Sequence, residues 1–152
     1  GCATGWYSLL AAEAGCRVIA ADPDDSMVNA VYRKARARRL PLTPTVTGLF
    51  DAAQEPERFR CEAVFANALV HHLTLTERWD FPAIADSLEA LAEKWVLTEF
   101  IDGNDTFVKQ RLDRRSAHYT LENLAAALRR RFREVTLHPS TSKNRTLLVA
   151  SK

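Results

Sequence analysis

The sequence predicts an α/β fold built on a doubly wound, mostly parallel sheet, and three observations lead to it. Apolar runs of strand length alternate with segments whose apolar residues recur at helical spacing. Several runs are apolar throughout, as expected for strands that are buried on both faces. Strand–helix alternation with short connections is typical of parallel sheets. The last two runs lie too close together for a helix, which predicts a C-terminal antiparallel hairpin.

Six apolar runs have the length and composition of β-strands. They are RVIAAD (17–22), TPTVTGLF (43–50), EAVFANAL (62–69), KWVLTEF (94–100), EVTLHP (134–139) and RTLLVAS (145–151). The stretch STSKN (140–144) joins the last two and has the polar composition of a turn. We therefore expect the final strand to run antiparallel to its neighbours.

Apolar stripes at helical spacing predict three amphipathic helices, over 27–35, 81–91 and 121–132. Thr120 precedes the third stripe and is a residue type that caps helix N-termini through its side-chain oxygen. A further helix is expected to begin near Gly5, directly after the glycine-containing opening of the chain.

Composition limits the class of protein. The chain has 152 residues, of which 47% are hydrophobic, and we expect a single domain over 1–152. Its net charge of +2 gives no strong signal for nucleic-acid binding. Three cysteines without a CxxC pair argue against a disulfide framework or a zinc site and favour a cytoplasmic protein. The apolar runs are too short to span a bilayer, so no membrane partner is expected.

Polar residues follow four of the predicted strands, at the sheet edge where ligands of such folds bind. Polar strand ends are common, so each residue taken singly also fits a purely structural role. The recurrence at one edge favours a cofactor site. The residues are Asp22, Asp51, Asn67 with the pair His71–His72, and Glu99 with Asp102.

The opening GCATG (1–5) has the character of a ligand-binding loop between a strand and a helix. Gly1 and Gly5 can take positive φ or let a ligand approach the backbone closely. A helix beginning there would point free N–H groups and its positive dipole end at that ligand. Asp22 ends the next strand, where a carboxylate can accept hydrogen bonds from both ribose hydroxyls. The combination predicts a nucleotide-like ligand.

Nicotinamide and flavin dinucleotides are disfavoured as that ligand. Their fingerprint needs small residues at offsets 0, 2 and 5, and these offsets fall on Gly1, Ala3 and Trp6. An indole at the third position prevents close packing of helix on strand, which argues against a nicotinamide-dependent oxidoreductase. No GxxxxGK[ST] phosphate loop is present in the sequence.

Four stretches together resemble the class I S-adenosylmethionine-dependent methyltransferases: GCATG (1–5), VIAADPD (18–24), VTGLFD (46–51) and FANALVHHL (65–73). The resemblance implies a Rossmann-like sheet with a C-terminal antiparallel hairpin. It also implies S-adenosylmethionine as cofactor and S-adenosylhomocysteine as product. The cofactor-binding residues it implies are Gly1, Cys2, Ala3, Gly5, Asp22, Asp51, Asn67 and Ala68, with Asp22 at the ribose and Asp51 at the adenine amine. The family's first strand, which precedes the glycine loop, has no counterpart here, so we expect a fragment of a longer protein.

Methyl transfer from a sulfonium is an in-line displacement, in which alignment and water exclusion are the main tasks. A general base is needed only where the acceptor must lose a proton, and His71, His72 and Glu99 are the candidates. A structural alternative stays open for each, since an imidazole can cap a loop and Glu99 can pair with an arginine or a histidine. Asn67 suits backbone positioning or a cofactor contact better than proton transfer.

We therefore predict an S-adenosylmethionine-dependent methyltransferase that acts on a small-molecule acceptor. Small molecules are favoured because nucleic-acid signals are weak and because no NPPY-type amino-methylating loop follows the strand that ends near Asn67. A non-catalytic methyltransferase-like binding module is the alternative, and an RNA or protein methyltransferase is less favoured. Two further partners stay open, a second copy in a homodimer and other segments of a longer chain.

Overall fold

A computed structural model describes residues 1–140 and 142–152. The chain divides into two compact units, Gly1–Phe59 and Arg60–Lys152, each with its own sheet. Within the described residues no helix is both long enough and apolar enough to cross a bilayer.

The first unit holds two parallel strands and four helices. In chain order they are α1 (Trp6–Glu13), β1 (Val18–Asp22), α2 (Asp25–Arg38), β2 (Leu42–Val46), α3 (Leu49–Gln54) and α4 (Pro56–Phe59). Strands β1 and β2 pair in parallel, with Asp22 opposite Val46 at their carboxyl ends. Helix α2 begins where the Asp24 side chain accepts a hydrogen bond from the Ser26 N–H, which caps the helix N-terminus.

The second unit holds a four-stranded mixed sheet in the order β3-β4-β6-β5. Its elements are β3 (Cys61–Ala66), α5 (Val70–Leu75), α6 (Phe81–Leu91), β4 (Ala92–Ile101), α7 (Thr106–Arg111), a 3₁₀ turn (Arg114–Ser116), α8 (Leu121–Arg129), β5 (Glu134–Pro139) and β6 (Arg145–Ser151). Strands β3 and β4 are parallel, whereas β6 is antiparallel to both β4 and β5.

The core of the second unit forms from apolar side chains that lose all solvent contact. Ile84 and Leu88 of α6 and Leu124 and Leu128 of α8 are completely buried, as is Val96 of β4. Thr120 caps α8 by accepting a hydrogen bond from the Asn123 N–H, as its place before the apolar stripe predicts.

The predicted fold class is confirmed, including the C-terminal antiparallel hairpin. Of the predicted turn 140–144, residue 141 lies outside the described residues. The division into a single domain over 1–152 stays a prediction.

Two predicted strands end earlier than expected, and in each case local backbone chemistry explains it. Strand β2 stops at Val46, and Gly48 then serves as N-cap of α3, so Asp51 lies in the first helical turn rather than after a strand. An acidic residue in that position is favoured by the helix dipole. Strand β3 stops at Ala66 because Ala68 takes a left-handed conformation with φ of 51°.

Candidate functional site

The opening loop of the first unit is held against the end of β1 by its own backbone. The Cys2 N–H donates to the Ala21 carbonyl at 2.9 Å, and the Gly5 N–H donates to the Cys2 carbonyl at 2.8 Å, which closes a tight turn. Ala3 in that turn has a positive φ of 46°. The Lys34 ammonium of α2 donates to the Thr4 carbonyl at 2.9 Å. The loop therefore has a defined shape before any ligand binds.

Gly5 is required by both its conformation and its surroundings. Its φ is +80°, and a Cβ built on it would lie 2.7 Å from the Cγ2 atom of Val31. Val31 is completely buried on α2, so it has little room to move away. The missing side chain at Gly5 thus lets the start of α1 approach α2 closely.

Asp22 has a carboxylate that the loop orients. Its Oδ2 atom accepts a hydrogen bond from the Ala3 N–H at 2.8 Å, and its Oδ1 atom accepts one from the Asp24 N–H at 3.0 Å. The side chain is 11% exposed. A carboxylate offers about four acceptor positions, so two directed positions remain for a ligand. This arrangement fits the two neighbouring hydroxyls of a ribose.

Asp51 is the second acidic residue of the predicted site in the first unit. It is exposed, and its carboxylate forms no ion pair with any residue of the described ranges. Its predicted contact with an adenine amine stays a prediction.

In the second unit, the turn after β3 carries Asn67 and Ala68. The Oδ1 atom of Asn67 is buried and has no hydrogen-bond partner among the described residues. The turn is anchored from β4, where the buried Thr98 hydroxyl donates to the Ala66 carbonyl at 3.0 Å. Buried acceptors in folded proteins usually have a hydrogen-bond partner, either a protein group or an ordered water.

His71 and His72 lie together at the start of α5, with ring centroids 4.1 Å apart. His71 is 5% exposed, and its Nδ1 atom is buried without a partner among the described residues. Burial, reinforced by His72, lowers the pKa of His71 from 6.5 to about 4, so this imidazole is neutral at pH 7. The His72 side chain is exposed, and desolvation of part of the ring, followed by the positive charge of Arg111, lowers its pKa.

Glu99 lies within β4 and is already paired. Its carboxylate accepts hydrogen bonds from the Arg145 guanidinium at 3.0 Å and from the Ser140 hydroxyl at 2.8 Å. The pairing with an arginine, one of the alternatives left open by the sequence, is therefore present. Asp102 is a turn residue whose carboxylate accepts from the Asn104 N–H, as the adjacent Gly103–Asn104 suggests.

Sequence reasoning missed the contribution of α7. The Phe107 ring packs edge-on against both imidazoles, at 5.2 Å from His71 and 4.5 Å from His72 between centroids. The Arg111 guanidinium lies over the same ring, 3.4 Å from its centroid. The available signal was Asp105, which caps α7 through the Phe107 and Val108 N–H groups.

Comparison with known proteins gives the family and the fold. The profile of the methyltransferase domain family matches residues 1–93 of the 152. Among curated proteins no sequence matches the chain. Solved structures that resemble it include monomeric WbdD, with a TM-score of 0.76 at 15% identity over 99% of this chain and 34% of that chain. Magnesium protoporphyrin IX methyltransferase (ChlM) from Synechocystis PCC 6803, solved with bound SAM, has a TM-score of 0.72 at 19% identity over 100% of this chain and 67% of that chain.

A third similar structure belongs to work on the conversion of a disulfide bond into a thioacetal group during echinomycin biosynthesis. It has a TM-score of 0.72 at 19% identity, over 100% of this chain and 73% of that chain. The chain spans about a third of the length of WbdD. At these identities the structural likeness shows the fold, whereas the family profile covers more than half of the chain. The chain belongs to the methyltransferase domain family, which confirms the predicted resemblance, the enzyme class and S-adenosylmethionine as the cofactor of that class.

Proposed function

We propose that this chain binds S-adenosylmethionine and transfers its methyl group to a small-molecule acceptor. One observation carries the proposal: Asp22, nearly buried and fixed by two backbone N–H groups, keeps unused acceptor positions on both carboxylate oxygens. The two neighbouring hydroxyls of a ribose match the remaining acceptor positions of this carboxylate.

The other proposed cofactor contacts in the first unit come from the opening loop and from Asp51. Backbone groups of the loop that includes Gly1, Cys2, Ala3 and Gly5 line the cofactor, and Asp51 takes the adenine amine. In the second unit, the buried Oδ1 atom of Asn67 has no partner among the described residues, and the predicted cofactor contacts of Asn67 and Ala68 stay predictions. S-adenosylmethionine supplies an electrophilic methyl group on a sulfonium.

Among the three proposed proton acceptors, the structure favours His72. Its ring is exposed, so an acceptor molecule can reach it. His71, with a pKa of about 4, is a weak base that stays neutral and packs against the His72 ring. Glu99 would have to leave Arg145 and Ser140 before it could take a proton. We therefore assign proton acceptance to His72, with His71 and Glu99 as the secondary candidates.

The small-molecule acceptor is supported by a net charge of only +2. The three cysteines, all free, support a reducing, cytoplasmic environment. One alternative is an RNA or protein acceptor, which would itself become methylated. The other is a non-catalytic module, which would transfer no methyl group.

The test follows tritium from methyl-labelled S-adenosylmethionine, with the chain incubated separately with low-molecular-weight metabolites, total RNA and protein. We expect label in the small-molecule fraction, inhibition by S-adenosylhomocysteine, and a loss of at least tenfold in rate for His72→Asn. His138→Asn, an exposed histidine on β5, is the matched control and should retain full activity. Label in RNA or protein would overturn the acceptor class. Binding of S-adenosylmethionine without transfer of its methyl group to any fraction would favour the non-catalytic binding module over the enzyme.

A further inference from the structure

The surface around α7 carries positive charge that the described chain does not neutralise. Four basic side chains within seven positions are exposed and form no ion pair with any described residue. They are Lys109, Arg111, Arg114 and Arg115. The two carboxylates nearby in sequence are engaged elsewhere. Asp113 pairs with Arg78 at 2.9 Å, and Asp105 accepts the N-terminal N–H groups of α7. We call the stretch that carries these four side chains the α7 basic segment.

Within this segment, the guanidinium of Arg111 lies over an aromatic ring. Its Cζ atom lies 3.4 Å from the centroid of the Phe107 ring. Its one hydrogen bond within the described residues is a long contact of 3.5 Å from Nη1 to the Phe107 carbonyl. A guanidinium has five N–H donors in a rigid fork that matches carboxylate and phosphate oxygens. Stacking therefore orders the fork while leaving most of its donors free.

The Arg111 fork lies next to the proposed proton acceptor. Phe107, on which it stacks, is in edge contact with His72 at 4.5 Å and with His71 at 5.2 Å. The carboxylates that act on the two imidazoles are Asp105 at His71 and Glu77 at His72, and neither forms an ion pair with Arg111. An anionic group that met Arg111 would be placed beside His72, within the same unit of the chain.

We propose that Arg111, stacked on Phe107 beside His72, binds an oxyanion of the methyl acceptor, a carboxylate or a phosphate group. Arg111 then determines acceptor specificity by fixing the charged end of the molecule, and the other residues of the α7 basic segment raise the local concentration of anions. The inference rests on the proposed function only in naming the bound molecule as the methyl acceptor. The oxyanion site itself is defined by the contacts of Arg111.

The test is a titration of the isotopically labelled chain by ¹H–¹⁵N NMR with benzoate, phenyl phosphate and neutral benzamide at constant ionic strength. We expect the amides of α5 and α7 to shift with one or both anions and not with benzamide. Which anion binds more tightly distinguishes a carboxylate from a phosphate acceptor. Arg111→Met keeps the aliphatic stem and should weaken anion binding about tenfold or more, the typical effect of losing a charged hydrogen-bond donor.

Arg58→Met is the matched control. Arg58 also lies over a phenyl ring, that of Phe59 at 5.2 Å, but its guanidinium pairs with Glu55 at 2.8 Å. The control should bind the probes as the unchanged chain does. Equal binding of benzamide, or equal anion affinity in Arg111→Met with an otherwise unchanged spectrum, would overturn the proposal.

A calorimetric titration with S-adenosylhomocysteine separates this inference from the proposed function. If the anions bind through Arg111 but S-adenosylhomocysteine does not bind, the oxyanion site stands and the methyltransferase function fails. If S-adenosylhomocysteine binds and the anions do not, the function stands and the oxyanion site is refuted. In Arg111→Met we expect S-adenosylhomocysteine affinity to be unchanged.

Discussion

Replacing Gly5 with alanine tests the packing that shapes the opening loop. An alanine there must adopt a φ of +80°, which costs about 1–2 kcal/mol for an L-residue. Its Cβ would also lie 2.7 Å from the Val31 Cγ2 atom, and overpacking of a buried site costs about 1–3 kcal/mol. We therefore expect Gly5→Ala to lower the free energy of unfolding of the first unit by about 2–5 kcal/mol.

Gly15→Ala separates the two contributions. Gly15 has a similar φ of +91°, but a Cβ added there meets no atom within 4 Å. It should therefore show the conformational cost alone, about 1–2 kcal/mol. The assay is urea unfolding followed through the NMR signals of the β1 amides, which report on the first unit. If both variants lose the same stability, the overlap with Val31 contributes nothing and the packing argument is refuted.

Three further predictions concern the second unit. Thr98→Val removes the hydroxyl that donates to the Ala66 carbonyl and should cost about 1–3 kcal/mol in urea unfolding; no loss would show that this bond does not anchor the turn. Tyr119→Phe removes a buried bond of 2.7 Å to the Ile101 carbonyl and should lower stability by a similar amount, whereas an unchanged melting temperature would contradict it. The depressed pKa of His71 means that the unfolded chain takes up its proton first as pH falls. Relative to His71→Gln, the unchanged chain should keep full stability above about pH 6.5 and lose up to about 3 kcal/mol towards pH 4; parallel pH profiles would refute the assigned pKa.

Local signals in the sequence predicted the parts of the fold that depend on neighbouring residues. Periodicity alone predicted the strand that ends at Asp22 and helix α2. The position of Thr120 directly before an apolar stripe was enough to predict its role as the N-cap of α8. Asp22 was found as a site residue because a strand end and a glycine loop lie close together in sequence. Its orientation by the Ala3 N–H is a consequence of that same local arrangement.

Contacts between distant residues could not be predicted in the same way. Glu99 and Arg145 are 46 positions apart, and nothing in either segment indicates that β4 and β6 place them side by side. Helix α7 has six residues, too few for a clear apolar period, so its role beside His72 was not recognised. The stop of β2 at Val46 was missed because the apolar Leu49 and Phe50 follow Thr47–Gly48 and extended the apparent run across the glycine.

The most direct test of the account is a calorimetric titration of the chain with S-adenosylmethionine, alongside Asp22→Asn and the control Asp25→Asn. Asp25 is an exposed carboxylate three positions away, in the first turn of α2. Circular dichroism must first show that both variants are folded, since Asp22→Asn leaves a backbone N–H without its acceptor. We predict saturable binding by the chain and by Asp25→Asn, and a loss of about 1.5–3 kcal/mol in binding free energy for Asp22→Asn. Equal affinity in a folded Asp22→Asn would contradict the assignment of this carboxylate to the cofactor ribose.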